Sequence, residues 1–326
     1  MQLFVFHIFA LFKTIWLKKC FYCGSSSIIK NGRKRDKQRY LCKNCNKQFF
    51  SRKQIDIQAV WDDYVFGKQT VFQLSERYEI SPRTVHRKLD TIRIPRIISS
   101  SKQVVVLIDT IYWGRNFGVV VLKDCRTKRV LWRKFVRHET LADYKEGVDW
   151  LESHQFKIEG IVCDGIRGMF QMLAGYRVQM CQYHQLRIVQ RYLTRTPELP
   201  ASIELLAIAN SLTKTDKESF IGSFEQWCAR WDAFLKERAY DKRTGKSHYV
   251  HKRLRSAYLS LKRNMPRLWT FYDHADLGIP NTNNALEGMF TDLKTKLRNH
   301  AGLSKERRKK FIDEYFKATF PSSKRG

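Results

Sequence analysis

Val104-Val105-Val106-Leu107-Ile108-Asp109 decides the reading of this chain: five consecutive aliphatic residues, four of them β-branched, running into an acid. An uninterrupted apolar run of that length reads as a strand buried on both faces. The acid marks where the core gives way to solvent. The form recurs at Gly160-Ile161-Val162-Cys163-Asp164. Between and around these runs the period predicts strands over 117–122, 129–136, 158–163 and 177–181, with helices over 141–153, about 166–173, and 183–193. The order is three consecutive strands followed by alternating helix and strand, so an antiparallel half is extended by parallel strands under helices. From 197 to about 275 helical spacing dominates, as in Phe224-Glu225-Gln226-Trp227-Cys228-Ala229-Arg230-Trp231. After a loop at 278–283, a last helix from about 284 to 297 carries a third acid, Glu287, in Asn283-Asn284-Ala285-Leu286-Glu287-Gly288.

Upstream the character changes. Cys20-Phe21-Tyr22-Cys23 and Cys42-Lys43-Asn44-Cys45 stand eighteen residues apart, joined by a hairpin-like segment through Gly32 and Arg39-Tyr40-Leu41. Two such pairs suit one tetrahedral, structural Zn²⁺; a redox motif, which normally uses one pair, or free thiols are the alternatives. Three short helices follow. The third starts at Ser81-Pro82, a good cap followed by a residue suited to the first helical position. Arg83, Thr84, His86, Arg87 and Lys88 would then project away from Val85 and Leu89, as on the recognition helix of a helix-turn-helix. A plain three-helix bundle with a solvated basic face is the competing reading.

The domain plan is therefore an apolar extension at 1–17, a zinc ribbon at 18–53, a helix-turn-helix domain at 54–95, and a serine-rich linker around 94–101. The first part of a catalytic core follows at 102–195, with a helical insertion at 196–276 and C-terminal core helices at 277–320. The extension is too short for a membrane span before Lys18-Lys19 and lacks a basic lead. It reads as a helix packed on a neighbour or a misassigned start, with a membrane anchor as a minor alternative.

Composition names the partner class. With 61 Lys+Arg against 31 Asp+Glu, the formal charge of +30 far exceeds what solubility needs and points to a polyanion, foremost nucleic acid. Residues 1–53 hold thirteen Lys/Arg and one acid, Asp36. The eight cysteines are not spaced like a secreted disulfide framework, so a cytoplasmic, nucleoid-associated location is expected.

Asp109, Asp164 and Glu287 are the residue types that hold Mg²⁺ for phosphodiester chemistry. Any one alone reads as a cap or a solvated acid, as do Asp124, Asp143, Asp149 and Asp292. Together, in this order on these elements, they resemble the triad of a DDE transposase with a ribonuclease-H-like core. The Val162-Cys163-Asp164-Gly165 context, Cys181-Gln182-Tyr183-His184 and Asn283-Asn284-Ala285-Leu286-Glu287 narrow the resemblance to Mutator-related bacterial insertion-sequence transposases with a zinc-binding N-terminus. It covers nearly the whole chain. The resemblance implies a mixed α/β fold and two Mg²⁺ (or Mn²⁺) ions on the triad, beside the one structural Zn²⁺. It also implies cleavage of element-end duplex DNA at terminal inverted repeats, joining to target DNA, and a homodimer on DNA with no stable membrane partner. Cys181 and His184 are expected to support the pocket, with shared metal binding the other option. Lys294 and Arg298 fall on the face of Glu287, either as a phosphate grip or as a solvated face. Trp227 and Trp231 read as helical core before base-stacking platforms. A non-catalytic or decayed DNA-binding regulator and a nuclease without strand transfer are the competing functions.

Overall fold

In the computed structural model, residues 19–50, 55–94 and 102–318 are described; the extension at 1–17 and most of the 94–101 linker lie outside them. The chain divides into two compact units, Met1–Val60 and Trp61–Gly326. The break falls inside the first helix.

The first unit is an antiparallel meander of β1 (Ile28–Lys34), β2 (Lys37–Cys42) and β3 (Gln48–Phe50), in that order. Arg35 and Asp36 both take positive φ, 48° and 58°, at the tip of the β1–β2 hairpin. That geometry matches the right-handed twist of the strands. Its described core is small, centred on Cys20, Tyr40 and Cys42. A unit of this size needs a staple beyond apolar burial.

The second unit opens within the first of three short helices, α1 (Ile57–Val65), α2 (Val71–Arg77) and α3 (Pro82–Thr91). A sheet follows: β4 (Gln103–Tyr112), β5 (Gly118–Asp124), β6 (Val130–Val136), then α4 (Leu141–Ser153), β7 (Lys157–Cys163), α5 (Met169–Met172), β8 (Val178–Met180) and α6 (Gln182–Leu193). The strand order is β6-β5-β4-β7-β8, antiparallel among the first three and parallel from β4 through β8. With a helical insertion before the final helices, this is the mixed α/β, ribonuclease-H-like arrangement expected. β4 is central because its aliphatic run is apolar on both faces: Val104, Val105, Val106 and Leu107 are fully buried. Val104, Val106 and Ile108 pack in one core with Tyr144, Val148 and Leu151 of α4.

The insertion comprises α7 (Pro200–Ser211), α8 (Lys217–Lys236), β9 (Arg238–Tyr240), β10 (Ser247–Tyr249), α9 (Lys252–Leu268) and α10 (Thr270–Asp273). It builds a second core, in which Val189 of α6 meets Leu205, Phe224, Trp227 and Leu261. The β9–β10 hairpin departs from the all-helical expectation. Its turn is made by Asp241, whose carboxylate accepts the N–H groups of Arg243 and Thr244, so local turn chemistry overrides the surrounding helical bias.

Two helices close the chain, α11 (Asn284–Arg298) and α12 (Lys305–Ala318). The segment from Trp61 to Ile94 is fastened to α12: Tyr64 and Trp61 of α1 pack on Phe311, Arg307 pairs with Asp90 of α3 at 2.9 Å, and Glu314 accepts the Ile94 N–H. Ser81 caps α3 with Pro82 at its first turn, as the sequence predicts.

Candidate active site

Three elements bring three acids together. Asp109 lies on β4 past the buried run, where its carboxylate accepts the Thr110 N–H at 2.7 Å. Asp164 immediately follows β7, the parallel neighbour of β4. The next residue, Gly165, sits at φ 73° with Met180 Sδ 2.5 Å from where a Cβ would be, so glycine is required for the chain to turn here. Glu287 projects from the first turn of α11.

The placement of α11 follows from Asn283. Its side-chain amide donates to the Ile108 carbonyl at 2.9 Å, one residue before Asp109, and its backbone N–H donates to Cys181 Sγ at 3.3 Å. One asparagine thus ties the start of α11 to both β4 and the start of α6. Lys123 of β5 adds a second tie, donating to the Ala285 carbonyl at 2.7 Å; burial lowers its pKa to about 8. The Asn-Asn-Ala-Leu-Glu segment is in this way a docking device that carries Glu287 to the sheet.

The electrostatics record the convergence. Asp109 is pushed up to about 8, first by burial, then by the negative charge of Asp164 and, more weakly, of Glu287 and Glu139. Asp164 is also raised, by burial foremost, while nearby His184 pulls it back. Half-buried carboxylates that repel one another in this way are relieved by a cation. Glu287 Oε1 is buried with no hydrogen-bond partner, another mark of a site fitted for a ligand. An all-oxygen donor set of this kind fits hard divalent cations such as Mg²⁺.

Glu139, which sequence reasoning missed, is a fourth carboxylate at this site. It precedes the α4 cap Thr140; its backbone N–H donates to the Tyr112 hydroxyl and its side chain accepts from the buried Tyr144 hydroxyl, 2.8 Å from Thr110 Oγ1. It is thereby anchored to Thr110 and Tyr112, the β4 residues just after Asp109. No periodicity marks His138-Glu139-Thr140.

Cys181 and His184 join the site as well. Cys181 Sγ, a His184 ring nitrogen and a Glu287 oxygen lie within 4.8 Å of one another, and His184 Nε2 is 3.7 Å from Glu287 Oε1. Burial pushes the Cys181 thiol up to about 11, and its sulfur already accepts the Asn283 N–H. That bond links the start of α6 to the start of α11.

In the first unit the four sulfurs of Cys20, Cys23, Cys42 and Cys45 lie within 4.8 Å of one another. Cys20 and Cys45 are 3.6 Å apart, as are Cys23 and Cys42. A tetrahedral Zn²⁺ with Zn–S bonds of about 2.3 Å sets its sulfurs about 3.8 Å apart, so the cluster fits that ion. Gly24 and Asn46, each directly after a pair, take positive φ and fold both Cys-x-x-Cys turns back on themselves.

No family model matches this chain, and no curated protein matches it. Among solved structures it is similar to the Drosophila P element transposase strand transfer complex, at 11% identity over 82% of this chain and 78% of that one, with a TM-score of 0.35. A chain of the simian T-cell lymphotropic virus intasome in complex with PP2A regulatory subunit B56 gamma aligns at 11% identity over 48% of this chain and 69% of that one, with a TM-score of 0.21. Both likenesses are remote. The functional reading stands on the site's own residues.

The remaining sequence-derived residues separate. On α3, Arg83 and Arg87 are exposed, while Thr84 shares the cap with Ser81, their hydroxyls 3.0 Å apart; Lys88 is half-buried. His86 departs from the expected outward set: it lines a crevice with Trp61, Leu89, Arg307 and Phe311, and burial lowers its pKa. Packing on α12 claims that side of the helix. Lys294 and Arg298 are exposed on α11. Trp227 is core, its indole donating to the Ala201 carbonyl and its ring stacked on Phe224; Trp231 donates to Glu204. The four discounted acids have structural partners: Asp124 with Thr127, Asp143 with Lys134, Asp149 with Lys145, and Asp292 with Lys296. No helix among the described residues is long and apolar enough to cross a membrane.

Proposed function

We propose that this chain is a DDE transposase of the Mutator-related, zinc-binding type, which binds the ends of its mobile element and catalyses metal-dependent DNA strand cleavage and strand transfer. The observation that carries the reading is the convergence of Asp109, Asp164 and Glu287 from β4, the end of β7 and α11, where burial first and then the neighbouring charges hold Asp109 well above the carboxylate range. These three carboxylates would hold two Mg²⁺ ions. Bound there, the metals supply activation of water or a 3′-hydroxyl and neutralise charge on the leaving oxygen. The residues themselves do the positioning: Asn283 and Lys123 hold α11 against the sheet, Gly165 lets the chain turn directly after Asp164, and Tyr144 orients Glu139.

The net charge of +30 provides the attraction for duplex DNA, with Arg83 and Arg87 on α3 and Lys294 and Arg298 on α11 as phosphate or base contacts. Cys20, Cys23, Cys42 and Cys45 would hold one structural Zn²⁺. Concerted cutting of two element ends needs two active sites, which favours a dimer on DNA. The test is cleavage and joining of element-end DNA with Mg²⁺ by the wild type and by Asp109→Ala. Activity indifferent to the substitution would remove the triad. A pre-cut end bearing a 3′-hydroxyl that the wild type never joins would reduce the protein to a nuclease.

A further inference from the structure

A groove of about 900 Å³ opens from the acids along α6, and its walls are strongly basic. Asp164 and His184 line one end of it. Arg187, Arg191 and Arg195 follow His184 along α6 and just past its end, and Arg167 and Arg263 line other parts of the wall. All five arginines are exposed. Among the described residues none of the five forms an ion pair with a carboxylate, and Asp164 is the only acid in the lining. Five guanidinium groups kept without counter-charges around one concavity are costly to hold together unless a polyanion enters.

The spacing says which form of polyanion. Arg187 and Arg191 rise along one face of α6 by about 6 Å, and Arg195 follows just past the helix end, beyond Thr194 at φ 70°. Successive phosphates of one strand lie at a comparable spacing along the backbone, so these side chains suit a single line of phosphates. The lining suits a single strand: Tyr192, Ile188 and Leu259 offer apolar and aromatic surface for bases, beside the half-buried Ser256 of α9. A groove of this volume takes a few nucleotides and excludes a double helix.

We propose that the α6–α9 groove binds the single DNA strand running away from the scissile phosphate, with Arg187, Arg191, Arg195 and Arg263 as its phosphate contacts. This rests on the transposase reading for the identity of the scissile strand, while strand binding itself does not. His184, at the acid end, marks where the strand meets the proposed metal centre.

The test uses the full chain carrying Asp109→Ala without Mg²⁺, so that binding is read apart from cleavage. Fluorescence anisotropy compares a blunt duplex with the same duplex bearing a short single-stranded tail, across a series of KCl concentrations. Replacing Arg187, Arg191 and Arg195 by Gln should flatten the log–log salt slope for the tailed probe by about 2, at ~0.7 per lost single-strand phosphate contact, with the blunt probe unchanged. The corresponding Lys variants should keep most of the slope. Should the triple variant fail to fold by circular dichroism, Arg263→Gln alone decides, with an expected change of about 0.7 confined to the tailed probe. Equal losses on both probes, or none on either, would overturn the groove assignment while leaving the cleavage assay to judge the triad.

Discussion

Replacing Asp109 by Asn should stabilise the protein when Mg²⁺ is absent and abolish its stabilisation by Mg²⁺. In the folded chain Asp109 keeps its proton until about pH 8, against 3.8 for the unperturbed side chain. Between those values the folded state binds more protons than the unfolded state, so this group makes stability fall as pH rises, with no further loss above the folded pKa. At pH 7.5 the displacement amounts to nearly four units, an upper bound of about 5 kcal/mol at ~1.4 kcal/mol per unit. Water entering the cluster screens it, and a realised gain on the order of 1–3 kcal/mol is expected for Asn. Asn is isosteric and keeps an oxygen for the Thr110 N–H. For a unit of this size that gain corresponds to about 3–8 °C in Tm. The assay is thermal unfolding from pH 5 to 8.5, free of Mg²⁺ but with zinc retained, repeated with Mg²⁺ added. The Tm gap should widen toward pH 8, and Mg²⁺ should raise the wild type well above the variant's response. A variant that melts below the wild type at pH 8 without Mg²⁺, or a gap flat across the range, would refute the picture of mutually repelling buried acids.

Two further outcomes follow from the same structure. Cys42→Ser should remove the zinc, about one ion per chain in the wild type by metal analysis, and unfold the small first unit, since its own core is slight; a wild-type preparation without zinc would sink the site. Asn283→Ala removes the hook to the Ile108 carbonyl and leaves that buried oxygen unpaired. A loss of about 1–3 kcal/mol in chemical denaturation is expected, with strand cleavage reduced more than DNA binding; unchanged cleavage would mean Glu287 does not depend on this tie.

Much of the site was legible in the chain because its parts have local causes. The Val104-to-Ile108 run had to be a buried strand, and an acid at its end had to sit at the rim of the sheet. Cys-x-x-Cys pairs and the Ser81-Pro82 cap likewise act within a few residues of themselves. Glu139 was not legible, because what brings it to the acids is the fold of the Tyr112 and Tyr144 side chains around it. His86 was placed on the correct helix but on a side that α12 covers, more than two hundred residues later in the chain. Arg187 and Arg191 are visible as a helical period, yet only the opposing wall of α9 and the turn that brings Arg195 beside them make a groove.

By itself, then, the sequence determined the strands, the caps, the sulfur spacing, the acids at the strand ends and the polyanionic character of the partner, since each depends on short-range periodicity or on summed charge. Tertiary structure alone decided which acids face one another. That outcome turns on bonds such as Asn283 to Ile108, which join residues 175 positions apart and satisfy a backbone oxygen that no local pattern could assign.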